Sequence, residues 1–362
     1  MNIWTGFRVH LTDIENNMKN DNNQNNSAFS KDTFQALKGY LAVCVLIHHV
    51  HQFNGLLADT SLNYPLLLLG HWAVVLFMFM SGFGLYESYK TKGREYIKKF
   101  PRNRILTFFI MYVFFVVIYT IYELATGGKI TPLLMLETFT YGNTIISFGW
   151  YLQLSLLLYI IFFLVFIIPS KKWIHSLLLA LFAIAFLTIN IIIARPYNVY
   201  VIVVSFLFGI IVSLHKDKIE GAIKKYSVLV LIISLIAFCA FTLIQTLMVY
   251  RKNDLIETQL LVRTFFILIT SVADISLAIV MISFVAFVSR FAKAIVINPA
   301  SKFLGNYSLE IYALQGIVLR TVFSDAFKLN PVVASLISVA LIVIIAIPIH
   351  LLLSRINKAV KK

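Results

Sequence analysis

Apolar runs of about 20 residues recur along nearly the whole chain, separated by short polar, proline-containing or charged segments. A helix of about 20 residues is about 30 Å long, the thickness of a bilayer's hydrocarbon core. The pattern therefore predicts an all-α polytopic membrane protein with about ten transmembrane helices, at 34–53, 65–88, 104–124, 149–169, 173–194, 198–214, 226–249, 260–288, 303–323 and 331–354. Residues 1–33 are polar and rich in asparagine, and no long apolar stretch there precedes a small-residue cleavage site. They are predicted to form a disordered cytoplasmic tail, with the first span acting as the insertion signal. Residues 34–355 form the transmembrane domain and 356–362 a basic tail. No soluble domain of useful size and no internal repeat interrupts the helices.

Composition agrees with this reading. The 362 residues are 60% hydrophobic and only 13% charged, and the mean hydropathy is +0.86. The formal charge of +15 would point to nucleic acid in a soluble protein, but membrane proteins gather Lys and Arg in cytoplasmic loops, so no nucleic-acid partner is expected. The cations alternate. Lys90, Lys92, Arg94, Lys98, Lys99, Arg102 and Arg104 follow span two, and further groups follow spans four, six, eight and ten, while the intervening loops hold few. Both termini are predicted to be cytoplasmic. Cys44 and Cys239 both lie in apolar runs, so no disulfide framework is expected.

Ionisable groups inside a span are costly and mark functional candidates. Lys38 and His49 of span one are eleven residues apart, which places them within about 20° of one helical line and about 16 Å apart along the axis. Lys38 falls toward the inner leaflet, where an ammonium suits a phosphate, and His49 in the outer half. A neutral imidazole there can take a proton from an attacking hydroxyl and return it to a leaving group. The plainer alternative is that Lys38 snorkels to the interface and His49 bonds within the bundle. Cys44, His48 and His51 share another face and imitate a soft-metal site, but three such residues on one helix rarely converge on an ion, and no metal is expected.

Arg102 and Arg104 stand where span three begins, and guanidinium forks there can hold a phosphorylated ligand, with lipid head groups the competing partner. Ser81 on span two, Trp150 and Tyr151 at the start of span four, Asp274 in span eight and Glu310 in span nine are candidate substrate contacts. Packing explains Ser81-Gly82 equally well, and an aromatic belt explains the Trp-Tyr pair. Neither carboxylate has a neighbour at helical spacing that fixes its role.

These segments together resemble the integral-membrane acyltransferase family 3, bacterial enzymes that O-acylate cell-surface glycans. The family's ten-helix fold typically opens with Arg-Gly-Ile-Ala and places a histidine eleven positions after the arginine. Here Leu37-Lys38-Gly39-Tyr40-Leu41-Ala42 leads to His48-His49, so His49 falls on the family histidine and Lys38 replaces the arginine. Phe77-Met78-Phe79-Met80-Ser81-Gly82-Phe83 resembles the family's second-helix Phe-Phe-x-x-Ser-Gly-Phe. Phe100-Pro101-Arg102-Asn103-Arg104-Ile105 resembles its basic approach to helix three, Trp150-Tyr151-Leu152 its Trp-Phe-Leu, and Leu304-Gly305-Asn306-Tyr307-Ser308-Leu309-Glu310-Ile311-Tyr312 its late Leu-Gly-x-x-Ser-Tyr-x-x-Tyr. Gln153 stands where some members have Glu, and Gln315 where many have His.

The resemblance covers residues 34 to about 320. It implies an acetyl-CoA-dependent O-acetyltransferase of the bacterial plasma membrane, with acyl-CoA, a glycan acceptor and membrane lipid as partners. Arg102, Arg104 and Lys38 would hold the donor, and His49 with Lys38 would be catalytic. A transporter or flippase would want discontinuous helices in related halves, and a polysaccharide assembly protein would want a long outer loop. The acyl group, the acceptor and the oligomeric state stay open.

Overall fold

A computed structural model describes residues 27–361. No strand occurs among them. Residues 1–26, most of the predicted tail, lie outside the described residues. Of residues 27–33, Phe29 is buried and its ring stacks on Phe83 at 5.1 Å.

The helices are α1 (Lys31–Asn54), α2 (Asn63–Phe100), α3 (Thr107–Ala125), α4 (Pro132–Phe139), α5 (Trp150–Ile167), α6 (Lys172–Ile192), α7 (Tyr197–Tyr200), α8 (Val203–Leu214), α9 (Lys216–Thr258), α10 (Leu260–Val288), α11 (Lys293–Val296), α12 (Pro299–Asn306), α13 (Ser308–Val322) and α14 (Pro331–Lys361). A π-helical turn, Pro101–Leu106, joins α2 to α3. Their ends follow local chemistry. Ser30 caps α1 by accepting from the Thr33 N–H, and Gly55, at φ 61°, ends it in the left-handed conformation, donating back to the His51 carbonyl.

Among the described residues, seven stretches are long and apolar enough to cross a membrane: Asn63–Ala125, Trp150–Ile167, Lys172–Ile192, Tyr197–Leu214, Lys216–Arg251, Leu260–Val288 and Pro331–Lys361. The first, at 63 residues, would extend about 95 Å if straight, far beyond one bilayer. It breaks at Gly93, whose φ of 59° and ψ of −144° are not helical. Two predicted spans are missing from the seven for physical reasons. α1 carries Lys38 and three histidines in its 24 residues, which lowers its hydropathy, and α13 is only 15 residues long because the predicted span 303–323 divides at Tyr307.

The cationic segment after span two, expected as a loop, is helical. Tyr96, Ile97 and Phe100 are buried while Arg94, Glu95, Lys98 and Lys99 are exposed. This is the one-sided pattern of a helix lying on an apolar surface with its charges in water.

Two reciprocal glycine contacts set the packing around the site. A Cβ on Gly39 would overlap the Ser301 carbonyl and one on Gly305 the Gln35 carbonyl, which clamps α1 to α12. Gly82 and Gly209 meet the Phe206 and Phe79 carbonyls in the same way, which clamps α2 to α8. α1 thus sits inside the bundle, packed by α2, α12, α13 and α14. In the first turn of α10 the buried Arg263 donates to the backbone carbonyls of Ile256 (2.9 Å), Ile191 (2.6 Å) and Glu257.

Candidate active site

The line of α1 that carries Lys38 and His49 faces two cavities, one above the other along the helix. Lys38 lines a cavity of about 370 Å³, together with Ser81 of α2, Arg104 of the π-helical turn, Tyr151 and Tyr159 of α5, Glu310 of α13 and His350 of α14. His49 lines a second cavity of about 240 Å³ with His48, Gln52, His71, Phe148, Trp150, Tyr197 and Asn198. Tyr312 borders both.

The wall between them is built from aromatic residues. Phe148 has a φ of 63°, a left-handed conformation strained for a residue with a Cβ. Its carbonyl accepts the Tyr312 hydroxyl at 2.6 Å, and its ring stacks on His49 with centroids 3.7 Å apart. Tyr312 in turn meets Tyr151 edge-on at 5.2 Å. A strained residue held by a hydrogen bond and stacked on the candidate imidazole is the kind of local distortion that concentrates at functional sites.

Seven of the nine sequence candidates divide between the two cavities, and Arg102 and Asp274 line neither. Lys38, Arg104, Ser81, Tyr151 and Glu310 come together in the first, and His49 and Trp150 in the second. Arg102 lines neither, and its guanidinium donates to the Val360 carbonyl at 2.9 Å. Gln153 donates to the carbonyls of Glu137 and Thr138 at 2.9 and 3.1 Å. Cys44, His48 and His51 do not converge: His48 Nδ1 bonds the Leu66 carbonyl at 3.0 Å and His51 Nε2 the Asn63 Oδ1 at 2.9 Å.

The two carboxylates that lacked a partner along their own helices find one across the bundle. Glu310 Oε1 accepts from His350 Nδ1 at 2.8 Å, and Asp274 Oδ1, on α10, accepts from His71 Nε2 of α2 at 2.9 Å. His71 and His350 were missed in the sequence, although a histidine inside an apolar run is itself costly and could have flagged both. Phe148 and Tyr312 carried no sequence signal for their contact, because a positive φ is invisible in composition.

The chemistry assembled here comprises Lys38, Arg104 and the Glu310–His350 pair beside one cavity, and three histidines, one of them paired with Asp274, beside the next. The family model described as an acyltransferase domain, acyltransferase family 3, matches residues 32–351. The chain belongs to that family. Most of this membrane acyltransferase lies within the match, which starts in the first turn of α1, ends in α14 and takes in Lys38, His49, His71, Asp274, Glu310 and Tyr312. Neither the curated proteins nor the solved structures give a match to this family 3 acyltransferase.

Proposed function

We propose that this acyltransferase moves an acyl group, acetyl in the simplest case, from cytoplasmic acyl-CoA to a hydroxyl of an exported cell-surface glycan. It would do so in a bacterial plasma membrane crossed ten times, by α1, α2, α3, α5, α6, α7 with α8, α9, α10, α12 with α13, and α14, leaving both termini cytoplasmic. The segments dense in cations, among them the exposed face of residues 94–99, then lie on the cytoplasmic side.

The stacking of two cavities along one face of α1 supports this most directly. Lys38 and Arg104 supply positive charge for the donor's phosphates, in a cavity within the size range of ligand pockets. The acyl end then points toward the Tyr312 wall, and the acceptor hydroxyl enters from the His49 side. His49 Nδ1–H donates to Gln52 Oε1 at 3.0 Å, which leaves the Nε2 lone pair for the reaction. That lone pair serves either as base toward the acceptor or as temporary carrier of the acyl group.

The test is His49→Ala in cells, with base-labile acyl groups on the surface polymer quantified and the released acid identified by mass spectrometry. Esterification should fall to background at normal protein levels. Unchanged esterification would remove His49 from the reaction.

A further inference from the structure

The His49 cavity holds three histidines, and they are not equivalent. His49 Nδ1 bonds an uncharged amide oxygen, that of Gln52, at 3.0 Å, and His48 Nδ1 bonds the Leu66 backbone carbonyl at 3.0 Å. His71 alone of the three has a carboxylate, Asp274 Oδ1, 2.9 Å from its Nε2. Asp274 is 2% exposed and sits within the apolar stretch Leu260–Val288. An acid in that position is a large expense unless something requires it. The pair is also incompletely used: His71 Nδ1 and Asp274 Oδ2 are buried and have no hydrogen-bond partner among the described residues.

We propose that His71, oriented by Asp274, is the base that takes the proton from the acceptor hydroxyl, which leaves His49 to receive the acyl group. This rests on the acyl-transfer reading above and divides the labour within it. An imidazole that accepts a proton becomes a cation, and a buried cation needs an anion beside it. Asp274 supplies that anion to His71. The carboxylate also fixes the proton on Nε2, so that Nδ1 presents its lone pair, the arrangement by which an acid orients a catalytic histidine.

The steps balance. His49 Nε2 forms a bond to the thioester carbon as the carbon–sulfur bond breaks, and the acylated imidazole holds one positive charge until the electron pair of the carbon–Nε2 bond returns to Nε2 in the second step. The sulfur leaves with that electron pair as the CoA thiolate and takes a proton from water on the donor side. The acceptor oxygen then forms a bond to the acyl carbon as the carbon–Nε2 bond breaks, and its proton passes to His71 Nδ1. His71 afterwards releases that proton to water on the acceptor side.

The experiment uses full-length protein in cells and membranes, with His71→Ala, His71→Gln and Asp274→Asn. Acyl ester on the native surface polymer should fall by about 100-fold or more in both His71 variants, the usual contribution of a general base. Asp274→Asn, which keeps the side chain's size, should fall by about tenfold or more. Binding of radiolabelled acetyl-CoA to membranes should stay at the wild-type level in all three. Added imidazole should restore part of the esterification in His71→Ala, a response that a purely structural histidine would not give.

Esterification within about threefold of wild type in both His71 variants would overturn the proposal, being far below a base's contribution. Loss of acetyl-CoA binding together with esterification in all three variants would overturn it too, since the pair would then hold up the fold. If cells with the unaltered protein carry no more ester than cells lacking it, the acyl-transfer reading itself falls.

Discussion

Phe148 offers the most direct test of how the wall is built, because strain and stacking can be removed separately. Phe148→Ala deletes the ring that lies 3.7 Å from His49 but keeps a Cβ at a φ of 63°. Phe148→Gly deletes the ring and the strain together. A residue with a Cβ pays about 1–2 kcal/mol in the left-handed region, while glycine's extra chain entropy in the unfolded state takes back about 0.5–1 kcal/mol. Phe148→Gly should therefore be more stable than Phe148→Ala by about 0.5–1 kcal/mol, although both lose a ring contact worth about 0.5–1.5 kcal/mol. Denaturant unfolding of the detergent-purified protein measures the first difference. Esterification in cells measures the second effect, and should drop by about tenfold or more in both variants as His49 loses its stacking surface. An alanine variant as stable as the glycine variant would refute the strain. Unaltered esterification in both would refute the positioning of His49 by this ring.

Arg104→Ala should raise the KM for acyl-CoA by about 10- to 100-fold, the loss expected for one charge-assisted contact, whereas Arg102→Ala, whose guanidinium reaches the Val360 carbonyl instead, should change it by less than about threefold. Steady-state kinetics in membranes separates the two. Gly82→Ala drives a Cβ into the Phe206 carbonyl and should destabilise the protein by about 1–3 kcal/mol, read as a lower denaturation midpoint. With Cys44 and Cys239 replaced by serine, Lys129→Cys should react with a membrane-impermeant maleimide from outside intact cells and Lys99→Cys only after lysis. The reverse pattern would invert the proposed orientation.

The helical membrane architecture was legible because hydrocarbon imposes one simple demand, a long apolar run for each crossing. Where a run was diluted by function the legibility fell. α1 contains Lys38 and its histidines, and α13 is short, so neither satisfies the rule by length and composition that α10 satisfies. The basic segment from Lys90 to Arg104 reads as a loop by sequence because its charges mask the spacing of Tyr96, Ile97 and Phe100. In the site, Lys38 and His49 were readable because both lie on one helix, where spacing converts directly into a shared face. Asp274 and His71 are separated by 203 positions and Glu310 and His350 by 40, and contacts between helices leave no trace in either helix's own periodicity. Arg102 and Arg104 were indistinguishable by residue type. Both lie in the π-helical turn between α2 and α3, where Arg104 lines the cavity and Arg102 does not.

The shared wall has an energetic meaning for the cell. In the proposed orientation, donor and acceptor sit on opposite sides of a membrane that stores about 2.3 kcal/mol per elementary charge for each 100 mV. An open water-filled passage between the two cavities would let protons run down that gradient at every turnover. Tyr312, with its hydroxyl tied to the Phe148 carbonyl and its ring against Tyr151, closes the route with apolar surface. In the proposed steps each acyl group passed takes up one proton on the donor side and releases one on the acceptor side, so this wall ties that single charge movement to transfer and holds back the free leak of protons and ions.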